Sequence, residues 1–438
     1  MDDTIDRNLH LLQWNARSIT RHLSDFQISL YTTKPHVAAV QESWLKSSKD
    51  SPSFESYNLE RKDRNRGKGG GILMLIRKNV KYVEKNIQIF PQGKLEVQII
   101  TIFGKQENID VMNVYNPKTT MNEREFMHYK NQLGIRFVIL GDFNAHHPQW
   151  EPSSQIPANA SGNAVERIIN NLNNNIVLAT PPDLPTHTHA YNGRTSTIDL
   201  TFCPPVFLPI INTLTLGDIG SDHTPILTIL QFKPDLMERN KRPKWLIDEI
   251  RWEKWYEEVI SINILPSESI EEEIIGFTDS IVKPASNVFK KSSNKIKEKF
   301  NKYWWNSHCA KATALRRRAK RRMEKRPSIE NIQEYRRLSA AAVKIHKTAK
   351  RLAWKKYVSN ITEKTTTSEI WRVIKAFSGK CKMINYPLKD GIQLIFDAQQ
   401  KTEILAQYLQ STMTTDRRFD YSIDDLQIID VAANDEFH

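Results

Sequence analysis

Six short polar strings in the first half of this chain carry side chains able to do chemistry, and each ends, follows or precedes an apolar run. Trp14-Asn15-Ala16 ends the run His10–Trp14, and Gln41-Glu42-Ser43-Trp44 follows Val37–Val40. Asn113-Val114-Tyr115-Asn116-Pro117 ends Ile109–Val114, and Leu140-Gly141-Asp142-Phe143-Asn144 follows Phe137–Leu140. Ile198-Asp199 opens a later run, and Ser221-Asp222-His223 precedes Pro225–Leu230. Carboxylates and an amide suit a hard divalent cation, while an imidazole and further donors suit a phosphate, so the set points to phosphate-ester chemistry. Taken singly, each string has a commoner structural reading. A Glu after a strand is usually solvated, Gly-Asp is a frequent turn, Asn15 is a serviceable helix cap, and an Asp-His pair is more often structural than catalytic. Their weight comes from their succession, each at a strand edge, where a β scaffold presents a site.

The elements that must position these residues are strand-like runs of β-branched and apolar residues. Besides those above they are Ile72–Ile76, Val97–Phe103, Ile176–Leu178 and Ile198–Phe202. Helical patterns over Glu123–Leu133 and Asn163–Leu172 intervene, which makes residues 1–232 an α+β or mixed α/β unit. Gly69-Gly70-Gly71 marks a turn entering a strand. Residues 233–288, punctuated by Pro234, Pro243, Pro266 and Pro284, read as a linker with helices over Glu249–Ile260 and Ile270–Ile281. Residues 289–380 read as helical. Trp305, Ala312, Leu315, Ala319 and Met323 form one stripe, and Ile332, Tyr335, Leu338, Ala342, Ile345, Ala349 and Leu352 another. Pro327 separates them and Ser328 is a candidate N-cap. A third helix opens with the capping box Thr366…Glu369 and ends before Gly379. Residues 381–438 are expected to be a loosely ordered tail, acidic from Asp416 onward.

Charge divides along the same lines. The 438 residues carry a net charge of +13, but residues 1–232 hold 23 basic and 22 acidic residues, a net of +1. Residues 289–357 hold 23 basic and 4 acidic residues, a net of +19, which points to a polyanionic partner for that segment alone. Cys203, Cys309 and Cys381 are too few and too scattered for a disulfide framework or a zinc cluster, so the chain reads as intracellular. The best apolar runs, Ile72–Ile76 and Val206–Ile211, fall far short of the roughly 20 residues of a membrane span, and no membrane partner is expected. The acidic start Met1-Asp2-Asp3, with no apolar run behind it, does not read as a signal peptide.

The succession of polar strings over residues 9–232 resembles the endonuclease/exonuclease/phosphatase superfamily of DNase I-like nucleases and apurinic endonucleases, most specifically at Gly141-Asp142-Phe143-Asn144 and Ser221-Asp222-His223. It is closer still to the endonuclease domain of Jockey-like non-LTR retrotransposons, through Gln13-Trp14-Asn15-Ala16-Arg17, Gln41-Glu42-Ser43-Trp44-Leu45, Gly69-Gly70-Gly71, Gly141 to His147, Ser196-Thr197-Ile198-Asp199-Leu200 and Ser221-Asp222-His223-Thr224-Pro225. The resemblance implies a four-layer αββα sandwich followed by a basic all-α region. It implies that Glu42 holds Mg²⁺ (or Mn²⁺), helped by Asn15 and with Asp222 assisting. It implies that Asp142 orients or deprotonates the attacking water, that Asn144 and Tyr115 contact the phosphate, and that His223, oriented by Asp199, stabilises charge on the phosphoryl oxygens. The implied reaction is metal-assisted in-line hydrolysis of DNA, leaving a 3′-hydroxyl that primes reverse transcription in an intact element. Two other readings stand beside it: a cellular apurinic endonuclease or phosphoesterase of the same fold, and a non-catalytic nucleic-acid-binding remnant.

Arg61, Lys62, Arg64, Arg66 and Lys68 are either a solvated loop or phosphate-backbone contacts beside the site. His146 and His147 follow the Gly-Asp-Phe-Asn string without a defined role. His187 and His189 would share one face of a strand, but with no third ligand nearby in sequence a surface loop is the simpler reading. The cluster Arg316-Arg317-Arg318-Ala319-Lys320-Arg321-Arg322 reads as a nuclear localisation signal, a nucleic-acid-binding face or the solvated side of a helix. Nucleic-acid contact is favoured, with element RNA as one partner and DNA as the substrate. The expected localisation is nuclear, with a cytoplasmic stage. This region resembles the segment joining endonuclease and reverse transcriptase in Jockey-like elements, through Tyr303-Trp304-Trp305-Asn306, the basic cluster, Lys350-Arg351-Leu352-Ala353-Trp354 and Ile370-Trp371-Arg372-Val373-Ile374-Lys375. Asp-Asp occurs only at Asp2-Asp3 and Asp424-Asp425, without the aromatic-x-Asp-Asp motif of a polymerase palm, so the expectation is a chain truncated before its polymerase.

Overall fold

The computed structural model describes residues 8–46, 51–54, 56–64, 69–117, 119–154, 156–189, 191–237, 245–247, 249–260, 269–291, 304–362, 365–378, 388–390 and 393–413. The first half alternates β1 (Leu9–Asn15), α1 (Ile19–Thr33), β2 (Val37–Gln41), β3 (Tyr57–Lys62), β4 (Ile72–Arg77), β5 (Tyr82–Glu84), β6 (Glu96–Ile102) and β7 (Ile109–Tyr115). Then come α2 (Glu123–Lys130), β8 (Phe137–Asp142), α3 (Ala160–Asn170), β9 (Val177–Leu178), β10 (His187–Thr188), β11 (Thr195–Ser196), β12 (Asp199–Cys203), β13 (Ile211–Thr215) and β14 (Ile226–Leu230). Two six-stranded sheets result, in the orders β13-β14-β1-β2-β4-β3 and β5-β6-β7-β8-β12-β9. The pairs β1–β2 and β7–β8 are parallel within otherwise antiparallel sheets.

Side-chain alternation along these strands builds four layers. Leu9, Leu11, Val37, Ala39, Met74 and Ile76 of the first sheet meet Ile100, Ile102, Val111, Val138 and Leu140 of the second in one buried core. The opposite face of the first sheet, with Leu12, Trp14, Ala38, Val40, Leu73 and Leu75, buries Ile19, Phe26 and Leu30 of α1. The opposite face of the second, with Ile99, Met112, Val114, Ile139, Leu200 and Phe202, buries Phe126 and Tyr129 of α2 and Ala164, Val165 and Ile168 of α3. This is the αββα sandwich that the sequence resemblance implies.

The layer between the sheets changes character along its length. Its residues run Leu9-Leu11-Gln13-Asn15 on β1, Val37-Ala39-Gln41 on β2, Ile109-Val111-Asn113-Tyr115 on β7 and Val138-Leu140-Asp142 on β8. They are apolar at one end and polar at the other, and all are buried. Buried amides are mostly paired, although neither polar side-chain atom of Gln13 has a hydrogen-bond partner among the described residues. Gln41 Nε2 donates to Asn113 Oδ1 across the sheets at 2.7 Å, and Asn113 Nδ2 donates to the Val40 and Leu73 carbonyls. The polar end is the rim of the sandwich. Register aligns it, with Tyr115 opposite Asp142 and Asp142 opposite Asp199.

The second half carries α4 (Glu249–Ile260), α5 (Ile270–Val288), α6 (Ser307–Lys325), α7 (Ile329–Ser359) and α8 (Thr367–Ser378). The short pair β15 (Trp245–Leu246) and β16 (Lys290–Lys291) flanks α4 and α5. Ser328 Oγ accepts the Asn331 N–H as an N-cap, and Thr366 Oγ1 accepts the Glu369 N–H. Cys309, Ala312, Ala319, Met323, Ile332, Ala342 and Ala349 are buried along the α6–α7 hairpin. Leu315 and Leu352, read as members of those stripes, are exposed. Residues 1–382 form one compact unit and 383–438 another. In the latter, β17 (Leu388–Asp390) pairs with β18 (Gln393–Ile395) and α9 spans Ala398–Met413, so this part of the expected loose tail has regular structure. The acidic stretch from Asp416 lies outside the described residues. No helix among the described residues is long and apolar enough to cross a membrane.

Candidate active site

The rim gathers side chains from five strand ends and one loop. Asn15 is the last residue of β1 and Glu42 follows β2. Tyr115 ends β7, Asp142 ends β8 and Asp199 opens β12, while Ser221–Thr224 leads into β14. Asn15 Nδ2 bridges two carboxylates, reaching Glu42 Oε1 at 3.1 Å and Asp142 Oδ2 at 2.7 Å. A nitrogen between two carboxylates fixes the amide's orientation. Its oxygen accepts the Arg17 N–H. Tyr115 Oη donates to Glu42 Oε1 at 2.9 Å and Trp44 Nε1 to Oε2 at 3.1 Å. His223 Nδ1 donates to Asp199 Oδ2 at 2.8 Å, and its Nε2 lies 3.9 Å from Asp142 Oδ2. An unbroken polar chain thus runs Asp199–His223–Asp142–Asn15–Glu42–Tyr115 across both sheets.

Backbone geometry holds this chain under strain. Among the described residues, five of the nine non-glycine residues with positive φ, Arg17, Ser18, Glu42, Trp44 and Asn144, sit at the rim. Such conformations persist only where surroundings impose them. For Glu42 (φ 50°) the imposing element is the triple-glycine turn, since Ser43 N–H bonds the Gly71 carbonyl and Trp44 N–H that of Gly70. Gly71 is itself left-handed (φ 78°), and a Cβ there would lie 2.9 Å from Ser43 Oγ. Gly141 is required for another reason, because a Cβ would meet the Val114 carbonyl at 2.2 Å where β7 and β8 pair.

Electrostatics separates the groups. Burial alone would lower the His223 imidazole, but Asp199, Asp142 and Asp222 outweigh it and push it up to about 9, so the ring is a cation at neutral pH. Burial, then the charge of Asp199, raises the Asp142 carboxyl well above its ordinary range. Burial would also raise Asp222, but His187 beside it and the charges of His223 and Arg17 hold it far below the usual carboxylate range. Burial and the Glu42 charge raise the Tyr115 phenol, which stays protonated as a donor.

The chain opens into a cleft of about 430 Å³, lined among others by Arg17, Glu42, Asn144, His187, Asp222 and His223. Glu42 faces this cleft with recorded hydrogen-bond donors that are all neutral, and buried Asp199 Oδ1 has no hydrogen-bond partner among the described residues. Glu42 and Asp222 are the carboxylates of the cleft lining, Asp222 is paired with Arg17, and Glu42, whose hydrogen-bond donors are neutral, is the one suited to hold a hard divalent ion. Asp142, Asp199 and His223 form one group with metal-ligand spacing, and His187, Asp222 and His223 another.

The residues singled out in the sequence fall into three groups. Asn15, Glu42, Tyr115, Asp142, Asp199, Asp222 and His223 meet at the rim. Asn144 lines the same cleft with Nδ2 on the Asn116 carbonyl, and its N–H bonds Asp142 Oδ1. Arg61 and Arg64, expected as phosphate contacts, form ion pairs, Arg61 with Asp63 and Arg64 with Glu96 beside the Tyr115 ring. Arg66 and Lys68 lie outside the described residues. In the basic cluster, Arg316 and Lys320 are each 2% exposed, which removes them from any nucleic-acid-binding face, while half-buried Arg317 bonds the Asp218 carbonyl through Nε. Arg318, Arg321 and Arg322 are exposed.

Two residues enter the site that the strings did not mark. Arg17 forms an ion pair with Asp222. His187, expected on a surface loop, packs its ring at a tilt against His223 with centroids 4.7 Å apart and places Nε2 3.7 Å from Asp222 Oδ2. Its companions come from a loop more than thirty residues away, so spacing in sequence gives no sign of them.

Residues 109–227 match the family model described as endonuclease-reverse transcriptase. A probable RNA-directed DNA polymerase from transposon BS of Drosophila melanogaster is 24% identical over 296 residues, 64% of this chain and 31% of that protein. The RNA-directed DNA polymerase from mobile element jockey of Drosophila funebris is 22% identical over 91% of this chain and 43% of that protein. The chain therefore spans less than half the length of these relatives. Among solved structures, the endonuclease domain of TRAS1, a telomere-specific non-LTR retrotransposon, is 18% identical with a TM-score of 0.42, over 52% of this chain and 99% of that one. An AP endonuclease from Archaeoglobus fulgidus is 15% identical with a TM-score of 0.40, over 51% and 99%.

Proposed function

We propose that this chain, a member of the endonuclease-reverse transcriptase family over residues 109–227, is the DNA-nicking part of a non-LTR retrotransposon protein. The observation that carries the reading is the polar chain Asp199–His223–Asp142–Asn15–Glu42, buried between the sheets and open to one cleft. His223 presents its protonated Nε2 toward the cleft, and the buried Asp199 carboxylate fixes the ring's orientation and charge. An imidazolium in a low-dielectric pocket stabilises charge that builds on phosphoryl oxygens. Asp142, held between Asn15 and the Asn144 N–H, orients the attacking water and accepts its proton. Arg17 and Asn144 lie in the cleft wall where they meet the phosphate. Tyr115 and Trp44 hold the Glu42 carboxylate rather than reaching for substrate. Glu42, with Asp222 in support, would hold magnesium or manganese, which would supply neutralisation of the phosphodiester's negative charge.

The product is a nick with a 3′-hydroxyl, the end from which a reverse transcriptase starts in an intact element. Exposed Arg318, Arg321 and Arg322 hold DNA or element RNA, and the protein works in the nucleus after a cytoplasmic stage. The test is the full chain on supercoiled plasmid, abasic duplex and inositol phosphates, with and without Mg²⁺. Cation-dependent nicking of intact plasmid, with ends a polymerase can extend, supports the proposal. Preference for abasic duplex would make it a repair enzyme, and no cleavage of any DNA with Mg²⁺ or Mn²⁺ would remove the nuclease reading.

A further inference from the structure

We propose that α6 is a working part of this site, and that Lys320 is a positioning residue which holds the loop bearing Asp222 and His223. The proposal rests on the nuclease reading for its catalytic consequence, though not for its geometry. Arg316, Lys320 and Glu324 lie four residues apart and so form one stripe along the helix. That stripe follows the loop from Asp218 to Thr224. Arg316 Nε donates to Asp218 Oδ2 at 2.8 Å, and its guanidinium reaches the Asp25 carboxylate of α1 at 3.3 and 3.4 Å. Lys320 Nζ donates to the Ser221 carbonyl and to Thr224 Oγ1, both at 3.3 Å, and lies 3.6 Å from Asp218 Oδ1. Glu324 Oε1 accepts Thr188 Oγ1 at 2.9 Å.

These contacts bracket the chemistry. Ser221 and Thr224 flank Asp222 and His223, and Thr188 adjoins His187. The two segments are also bonded to each other, Thr188 N–H to the Asp222 carbonyl at 2.8 Å and Thr224 N–H to the Thr186 carbonyl at 2.6 Å. Ser221 Oγ ties the same loop to the Asn15 carbonyl. At the turn between β10 and β11, Gly193 packs so closely that a Cβ would lie 3.1 Å from Pro327 and 3.2 Å from Met323. A surface helix needs none of this. A buried ammonium whose partners are a carbonyl, a hydroxyl and a carboxylate of one loop favours the path that keeps them in reach, because moving the loop away strips partners from a buried charge.

The experiment compares the full chain with Lys320→Met, Lys320→Arg and Glu324→Ala. Hydrogen exchange is read over residues 217–226 and 186–197, and kcat and KM are read for plasmid nicking. Lys320→Met is expected to speed exchange in the first segment and to lower kcat by about tenfold to a hundredfold, the scale set by small misplacements of reacting groups. KM stays within about twofold, and Lys320→Arg recovers part of the loss. Should Lys320→Met fail to fold, Glu324→Ala loosens the second segment alone and carries the same test. A raised KM with unchanged kcat would make α6 a DNA-binding helix only and overturn the proposal. So would unchanged exchange in both variants. If the unsubstituted chain cuts nothing, the nuclease reading fails while exchange still decides whether α6 holds the loop.

Discussion

Asp199→Asn removes one charge from the site and almost no volume. Asp199 is 2% exposed, does not line the cleft, and acts through its 2.8 Å hydrogen bond to His223 Nδ1. Losing one preorganised group that stabilises developing charge costs about 2.7–4 kcal/mol in the transition state, and the amide oxygen, still able to accept from Nδ1, retains part of that. With about 1.4 kcal/mol for each factor of ten in rate, kcat for nicking should fall by at most about 10²- to 10³-fold. KM should hold, because nothing that touches substrate has changed. Single-turnover nicking over a range of DNA concentrations separates the two, and thermal unfolding checks that the fold survives. A fall in kcat below about threefold, or a loss carried by KM, would refute the reasoning that Asp199 works by holding a cationic His223.

Gly71→Ala places a side chain at φ 78° against Ser43 Oγ. It should destabilise the fold by about 1–2 kcal/mol, read by urea unfolding, and lower nicking by displacing Glu42. Burial, then His10 and Arg77, pushes the His36 imidazole down to about 3 from an ordinary 6.5. The stability this neutral ring contributes is complete above pH 6.5 and is lost as pH falls from there toward 3. Between about pH 7.5 and about pH 5, the unsubstituted chain should therefore lose about 2 kcal/mol more unfolding free energy than His36→Gln; equal losses would show that His36 is not held neutral. Replacing exposed Arg318, Arg321 and Arg322 together by Ala should weaken nucleic-acid binding uniformly across sequences and reduce the salt slope by about 2–3, measured by anisotropy in a salt series.

The site was legible because its residues sit at strand ends, and strands built from Val, Ile and Leu announce themselves. Glu42, Asp142 and Asp199 could be named from the runs Val37–Val40, Phe137–Leu140 and Ile198–Phe202. Helix α1 gave little sign, since Thr20, Ser24, Ser29, Thr32 and Thr33 dilute its pattern and its helicity comes from packing Phe26 and Leu30 on the sheet. Strand β3, whose Asn58 and Glu60 are buried, reads as polar and was also missed. The basic cluster misled for a related reason. A run of Arg and Lys looks like solvated surface or a nucleic-acid face until its partners are known, and Asp25 and Asp218 are remote in sequence from Arg316. His187 shows the same limit, being a site residue only because β10 bridges to His223.

Plasmid nicking by the full chain beside its Glu42→Ala and His223→Ala variants tests most directly whether the rim is a metal-assisted phosphodiesterase site. Each variant should bind plasmid and unfold as the unsubstituted chain does, yet lose nicking by about 10²-fold or more in Mg²⁺. Nicking by both variants at the unsubstituted rate would contradict it.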